Sequence, residues 1–229
     1  MVGEGSHFSH DDALNFASEL GKYSTPSVSD ALDRFRIKGG LEGILPIFEG
    51  AKMHGVAFTV RYLPADQVQK KPWRTYIDDV KRGDVIVVDN GGRTYCTTWG
   101  ELLTMKAIEL GVAGTVLYGC CRDVDVIRRM RYPVFSKGRF MMTGKDRVAV
   151  EAVNQPVTVA DVLVSPGDII LGDDNGVLCV PLAKAQDVLE SVKEITSKEG
   201  GIADSIKRGV SLTAAREQFG YGELQRPKD

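Results

Sequence analysis

The sequence predicts an α/β fold with a short-strand antiparallel part and a helical tail, on three observations. Residues 73–135 alternate helix, strand, helix, strand, helix, strand, the rhythm of βαβ units. Residues 148–181 then switch to short apolar runs separated by turn residues. From Lys184 onward the chain is charged and helical in period.

Taken in order, residues 1–10 carry Gly3, Gly5, His7 and His10 and little apolar content, and read as a loose tail. Asp11 to Tyr23 is amphipathic, with Leu14, Ala17 and Leu20 on one face. Thr25-Pro26-Ser27 supplies a cap hydroxyl and a first-turn proline for a second helix, Val28 to Phe35, which Gly39-Gly40 ends. Gly55 to Tyr62 is β-rich. Trp73 to Val80 reads as a short helix, Asp84 to Asp89 as a buried strand, and Gly91-Gly92 as the turn after it. Glu101 to Leu110 is helix, Ala113 to Tyr118 strand, Val124 to Met130 helix, and Pro133 to Phe135 a short strand. Four short strands follow: 157–159, 161–164, 168–171 and 176–180. Their turns are Pro166-Gly167-Asp168 and Asp173-Asp174-Asn175-Gly176. Lys184 to Lys198 is a charged helix that Gly200-Gly201 should break, with helix resuming from Ile202 to Phe219.

A net charge of -2, with 26% charged residues, gives no nucleic-acid or membrane-surface footprint. The longest apolar runs, such as Val85 to Val88, are strand-sized, whereas a membrane helix needs about 20 apolar residues. Met1 to Phe16 contains Asp11 and Asp12 and no apolar run, so it does not read as a secretion signal. Cys96, Cys120, Cys121 and Cys179 show no C-x-x-C spacing, which argues for buried free thiols and a cytoplasmic location rather than a zinc or redox motif. A nucleophilic Cys120 or Cys121 is the lesser alternative: Arg122 could lower a thiol pKa, but no histidine is close in sequence.

The chemistry-bearing residues fall in two stretches. Trp99-Gly100-Glu101-Leu102-Leu103 opens a helix, whose unpaired backbone N–H groups and positive dipole end suit a substrate carboxylate. Glu101 alone would as readily serve only to stabilise that dipole. Tyr118-Gly119-Cys120-Cys121-Arg122-Asp123 ends a strand, where α/β folds place their ligands. Asp123 could hold a hard divalent ion and Arg122 an anionic or enolate oxygen. Equally, Asp123 could cap the helix that starts at Val124, with Arg122 a solvated charge. Asp125 is expected to face solvent. Asp173 to Gly176 is a hairpin turn, since it lacks the EF-hand pattern, and Gly91-Gly92-Arg93 is neither a P-loop nor a dinucleotide fingerprint. Trp73 and Trp99 read as packing residues.

At these residues the chain resembles the RraA-like family. The resemblance is carried by Gly83 to Asp89, Trp99 to Leu103, Gly111 to Gly114, Gly119 to Asp123, Pro133 to Phe135, Val164 to Asp168 and Asp173 to Val177, and runs from about Thr25 to Val188. The enzyme branch comprises the 4-hydroxy-4-methyl-2-oxoglutarate and 4-carboxy-4-hydroxy-2-oxoadipate aldolases. The resemblance implies a layered β/β/α fold and a metal-dependent (class II) pyruvate aldolase, magnesium or manganese as cofactor, oxaloacetate decarboxylase activity, and a homotrimer or homohexamer. It implies a tail and helix over 1–24, an aldolase domain over 25–183 and a helical extension over 184–229. By the same match Gly100, Glu101, Leu102 and Leu103 hold a small 2-keto acid, Arg122 steadies the pyruvate oxygen and Asp123 binds the metal. Arg122 follows Gly100 by 22 residues, as the family pattern has it.

Three departures stand out. Glu101 replaces the usual Asp. Pro72 to Tyr76 stands where many relatives carry a His, and Cys120-Cys121 stands where small or apolar residues are usual. The non-enzymatic branch, which inhibits the endoribonuclease RNase E by protein–protein contact, carries Gln where this chain has Asp123. A methyltransferase is not supported, because no glycine-rich S-adenosylmethionine loop is present. The apolar residues of the tail, including Val188, Leu189, Val192, Ile195, Ile202, Ile206, Leu212 and Phe219, are expected to cover a neighbouring protomer.

Overall fold

The computed structural model describes residues 8–68, 76–224 and 226. Helix α1 (His10–Leu20) is opened by a Ser9–Asp12 capping box, and α2 (Thr25–Asp33) by the Ser24 hydroxyl with Pro26 in its first turn. There follow β1 (Leu45–Pro46), β2 (Met53–Pro64), β3 (Asp84–Trp99), α3 (Glu101–Leu110), β4 (Gly114–Cys121), α4 (Val124–Met130), β5 (Val134–Arg139) and β6 (Val148–Val153). The chain ends with β7 (Val157–Val159), β8 (Val162–Val164), β9 (Ile169–Asp173), β10 (Gly176–Val180), α5 (Ala185–Lys207) and α6 (Leu212–Gln218).

The main sheet runs β1-β5-β4-β3-β2-β9-β10, with β6 on the far half of β2. Strands β2, β3, β4 and β5 are mutually parallel; β1, β6 and β9 join them antiparallel, and β10 pairs antiparallel with β9, so that it runs in the direction of the parallel strands. Alternation along the strands divides the core. Val85, Val87, Val116 and Phe135 face the separate β7–β8 hairpin through Val157, Val159, Val162 and Val164. Ile86, Val88, Leu117 and Val134 face Ala107 of α3 and Ile127 of α4. Sheet, sheet and helices therefore form three layers, the β/β/α arrangement expected of the sequence.

Four local differences from the sequence reading have physical causes. Strand β3 does not end at Asp89: it continues to Trp99 across three register shifts against β4, and Gly91 and Gly92 (φ +58° and +67°) are its bulge, not a turn. The helix expected over 73–80 lies partly outside the described residues, Trp73 included; Tyr76–Asp79 is a 3₁₀ turn. Strand β6 carries no clean alternation and was not foreseen as a strand. Gly200-Gly201 does not break the tail, because α5 runs through it. The bare face of Gly201 admits the Phe219 ring of the returning α6, where a Cβ would lie 2.4 Å from a ring carbon, and the break comes at Gly209 (φ +88°).

The tail is also less free than its charge suggests. Val188, Leu189, Val192 and Ile195 are buried within their own chain, against Leu20 of α1, Val28 and Leu32 of α2, and Ile169 and Leu178 of the sheet. Among the described residues of the tail, Ile206, Val210 and Leu212 are the large apolar side chains that remain exposed. Buried Arg34 ties α2 to α5 through Glu194 at 2.8 Å and reaches the Leu224 carbonyl.

Candidate active site

The bulged continuation of β3 brings Trp99 beside Cys121, at the carboxyl end of β4. The Arg122 N–H donates to the Trp99 carbonyl at 3.0 Å, so the start of α3 and the start of α4 sit side by side. Trp99 is buried and stacks on Tyr132. Its indole N–H donates to the Thr104 hydroxyl at 2.8 Å, which in turn donates to the Gly100 carbonyl at 3.0 Å. The sequence reading of Trp99 as packing thus captures half of its role; it also braces the first turn of α3.

Gly100 precedes α3 in an extended conformation, and a Cβ there would lie 2.6 Å from Asp123 Oδ2. The bare backbone is what lets the carboxylate approach. Asp123 holds a left-handed conformation (φ 55°, ψ 34°) that points its side chain away from its own helix. It occupies the cap position of α4 yet makes no side-chain capping bond there. Instead Asp123 Oδ2 accepts from the Glu101 N–H at 3.0 Å and lies 3.5 Å from Arg122 Nε. The helix-capping alternative is therefore corrected: the carboxylate stands at the positive end of α3, a favourable place for a negative charge.

Arg122 and Asp123 line one open cleft of about 520 Å³ together with Cys121, Val124, Asp125, Arg128, Arg139, Phe140 and Met141. Glu101 is half-buried at the start of α3, and neither it nor Gly100 is among the residues that line the cleft. Leu102 is 80% exposed and Leu103 packs toward the helix-side core, so neither side chain lines the cleft. With the Glu101 N–H spoken for, the N–H groups of Leu102 and Leu103 are the open donors of the first turn among the described residues. Asp125 faces solvent as expected, paired with Arg129 at 3.0 Å, which holds its carboxyl below the usual range.

Burial pushes the Cys120 and Cys121 thiols up, and neither is exposed, so the structure gives no support to a cysteine nucleophile. Arg128, Arg139, Phe140 and Met141 were missed in the sequence. Arg139 reaches the cleft through the register of β5, which sets it opposite Cys121. Arg128 follows Val124 by one helical turn, the one signal that could have found it. No cluster of three His, Cys, Asp or Glu able to cage a metal exists among the described residues.

Comparison with known proteins agrees with this architecture. The family model described as RraA-like, Aldolase/RraA, matches residues 25–179. Protein DlpA of Legionella pneumophila is 40% identical over 213 residues, covering 92% of this chain and 35% of DlpA, so the chain spans about a third of that relative. A protein of Hahella chejuensis, provisionally named a 4-hydroxy-4-methyl-2-oxoglutarate aldolase, is 33% identical over 70% of this chain and 94% of its own. The crystal structure of an uncharacterised protein from Pseudomonas syringae pv. tomato superposes with a TM-score of 0.82 at 38% identity, covering 88% of this chain and 96% of that one. RraAS2 of Streptomyces coelicolor, described as an unusual member of the RNase ES inhibitor RraA protein family, superposes with a TM-score of 0.74 at 26% identity over 81% of this chain and 94% of its own. By sequence and by fold, the chain belongs to the RraA-like family.

Proposed function

We propose that this protein is a divalent-metal-dependent carbon–carbon lyase that cleaves a 4-hydroxy-2-oxo acid to pyruvate and also decarboxylates oxaloacetate. The observation that carries the proposal is the placement of Asp123: one carboxylate oxygen is engaged by the Glu101 N–H, and the group lies open to a cleft that it shares with Arg122. The provisional aldolase names of several relatives point the same way.

The Asp123 carboxylate, open to the cleft, is the hard oxygen donor that a magnesium or manganese ion takes. Asp123 would hold the ion, and when bound it would supply Lewis acidity to the 2-oxo acid. The chain's own residues do the rest. The free N–H groups of Leu102 and Leu103 meet the substrate carboxylate at the helix start. Glu101, acting through a water, takes the proton of the 4-hydroxyl. The bond between C3 and C4 breaks, its electron pair moves toward the C2 oxygen, and the fragment bearing C4 leaves as a carbonyl compound. Arg122 meets the negative charge that grows on the enolate oxygen. Protonation of C3, again by way of Glu101, gives pyruvate. Decarboxylation of oxaloacetate uses the same enolate, with carbon dioxide leaving in place of the carbonyl fragment.

The protein is further proposed to act as a homotrimer or homohexamer. Leu102, Met105 and Ile108 form an exposed apolar stripe on α3, alongside a cleft edged by exposed Met141.

The likeness to RraAS2 supports a second reading, a protein-binding regulator of RNase E without catalysis. The two are separated by a coupled pyruvate assay over a panel of 4-hydroxy-2-oxo acids with Mg²⁺ or Mn²⁺ present. Metal-dependent release from any of them supports the lyase. No release from the panel or from oxaloacetate, with binding to RNase E, would replace it by the regulator.

A further inference from the structure

Trp99 and Thr104 are buried and line no part of the cleft, yet both are linked to the Asp123 carboxylate. The Trp99 indole N–H donates to the Thr104 hydroxyl at 2.8 Å, and that hydroxyl donates to the Gly100 carbonyl at 3.0 Å. The same peptide unit carries the Glu101 N–H, which donates to Asp123 Oδ2 at 3.0 Å. Every donor in this series points the same way, from indole to carboxylate. The Gly100–Glu101 peptide plane is thus held at both ends, by a hydroxyl at its oxygen and by a carboxylate at its hydrogen. The Thr104 N–H also donates to that carbonyl, at 3.1 Å, as the helix requires. The hydroxyl is therefore an added donor on a carbonyl that helical bonding already serves.

Bonds in such a series strengthen one another, since each polarises the next and burial keeps water from competing for the donors. The hydroxyl on the Gly100 oxygen draws charge through the peptide and makes the Glu101 N–H a stronger donor. Rigidity comes from the far end. The indole stacks on Tyr132, with ring centroids 6.2 Å apart and planes inclined by 10°, and the Tyr132 hydroxyl bonds to Thr115 Oγ1 at 3.0 Å. The Trp99 carbonyl accepts from the Arg122 N–H at 3.0 Å, so one residue reaches both halves of the site. At the near end Asp123 Oδ2 is engaged by the Glu101 N–H and faces Arg122 Nε, while Oδ1 has no partner among the described residues. We infer that Trp99 and Thr104 are positioning residues: they set the Gly100–Glu101 peptide so that Asp123 Oδ2 is held and Oδ1 is presented to the cleft. The consequence is a tighter hold on a divalent ion. This inference rests on the reading of Asp123 as the metal-holding group, but its test does not need turnover.

The test is titration of the full chain with Mn²⁺, followed by the electron paramagnetic resonance signal of the free ion, beside thermal denaturation of the metal-free protein. Thr104→Val keeps the volume and loses the hydroxyl. It should bind Mn²⁺ about tenfold more weakly, the order that follows loss of the hydrogen bonding behind a metal ligand. Thr104→Ser keeps the hydroxyl and loses a buried methyl. It should bind like the unaltered protein even where its melting temperature falls. Trp99→Phe keeps a ring on Tyr132 and loses the donor, and its affinity should fall by less than that of Thr104→Val. A purely structural role would instead make affinity follow melting temperature across the three variants. In the metal-free protein, the Glu101 amide proton resonance should move upfield in Thr104→Val and stay in place in Thr104→Ser, as the N–H becomes a weaker donor. Equal affinity in Thr104→Val and the unaltered protein, or equal losses in Thr104→Val and Thr104→Ser, overturns the inference and leaves the metal reading standing. If the unaltered protein binds no Mn²⁺, the metal reading falls and the amide proton decides: movement in Thr104→Val alone keeps the hold on Asp123, and no movement removes it.

Discussion

Asp123 Oδ2 accepts a hydrogen bond from the backbone N–H of Glu101 at 3.0 Å, so the carboxylate that ends one βα unit is anchored to the helix start of another. Gly100 makes this approach possible, since a methyl group there would sit 2.6 Å from the same oxygen. Gly100→Ala should therefore push the carboxylate off the α3 terminus. The expected result is a loss of activity of about tenfold or more from an active-site displacement below 1 Å, with stability lowered by only about 1 kcal/mol. Mn²⁺ titration of activity beside thermal denaturation checks both; full activity at unchanged metal dependence would show that the contact is dispensable.

Arg122 is expected to act on the transition state. Its guanidinium meets more negative charge in the enolate than in the ketone. Arg122→Lys should lower kcat by about ten- to a hundredfold and change KM far less, because a point charge replaces a planar fork. Steady-state kinetics on oxaloacetate decides; a rise in KM alone would make Arg122 a substrate anchor.

Asp168 gives a pH signature of the fold. It is buried and accepts from the Ser165 and Leu182 N–H groups, yet burial dominates and lifts its carboxyl above the usual range. The native state therefore keeps this proton at pH values where the unfolded chain has released it. The resulting stabilisation is complete below the unfolded pKa and is lost as pH rises through the native one. Relative to Asp168→Asn, the unaltered protein should gain stability as pH falls from neutrality to the ordinary aspartate range. Urea denaturation at both ends of that window measures it; a gap that shrinks on acidification would reverse the assignment.

The apolar stripe of α3 is expected to lie between subunits. Met105 is 52% exposed in the middle of it. Light scattering should give three or six times the chain mass of 25.0 kDa. Met105→Glu should shift that mass downward, because a charge in an apolar contact is left unpaired. A monomer that retains full activity would leave the stripe without this role.

The local structure around the site was largely legible. Glu101–Leu110 and Val124–Met130 have the helix bounds that their periodicity and the left-handed Gly111 cap dictate. The spacing of Gly100 and Arg122 marks two helix starts but not their contact. That contact needs the bulge in β3, whose register shifts depend on pairing with β4 rather than on local preference. The left-handed backbone of Asp123 was likewise invisible, since it is imposed by tertiary contacts on a residue with no intrinsic need for it. In the tail, Gly200-Gly201 resembles a helix breaker until Phe219, eighteen residues later, supplies the ring that its flat face receives. Arg139 was missed for the same reason as the bulge: only cross-strand register brings it beside Cys121.

The central claim is that Asp123 organises a metal-dependent cleavage, and pyruvate release from oxaloacetate tests it most directly. The unaltered protein and Asp123→Asn should be assayed with Mn²⁺ and with a chelator. Asn can still accept from the Glu101 N–H, so the fold and the helix start are kept while the charge is removed. The expected result is release by the unaltered protein that needs Mn²⁺ and is lost in chelator, with a fall of about a hundredfold or more in Asp123→Asn at an unchanged melting temperature. Release that persists undiminished in chelator, or in the Asp123→Asn protein, would contradict it.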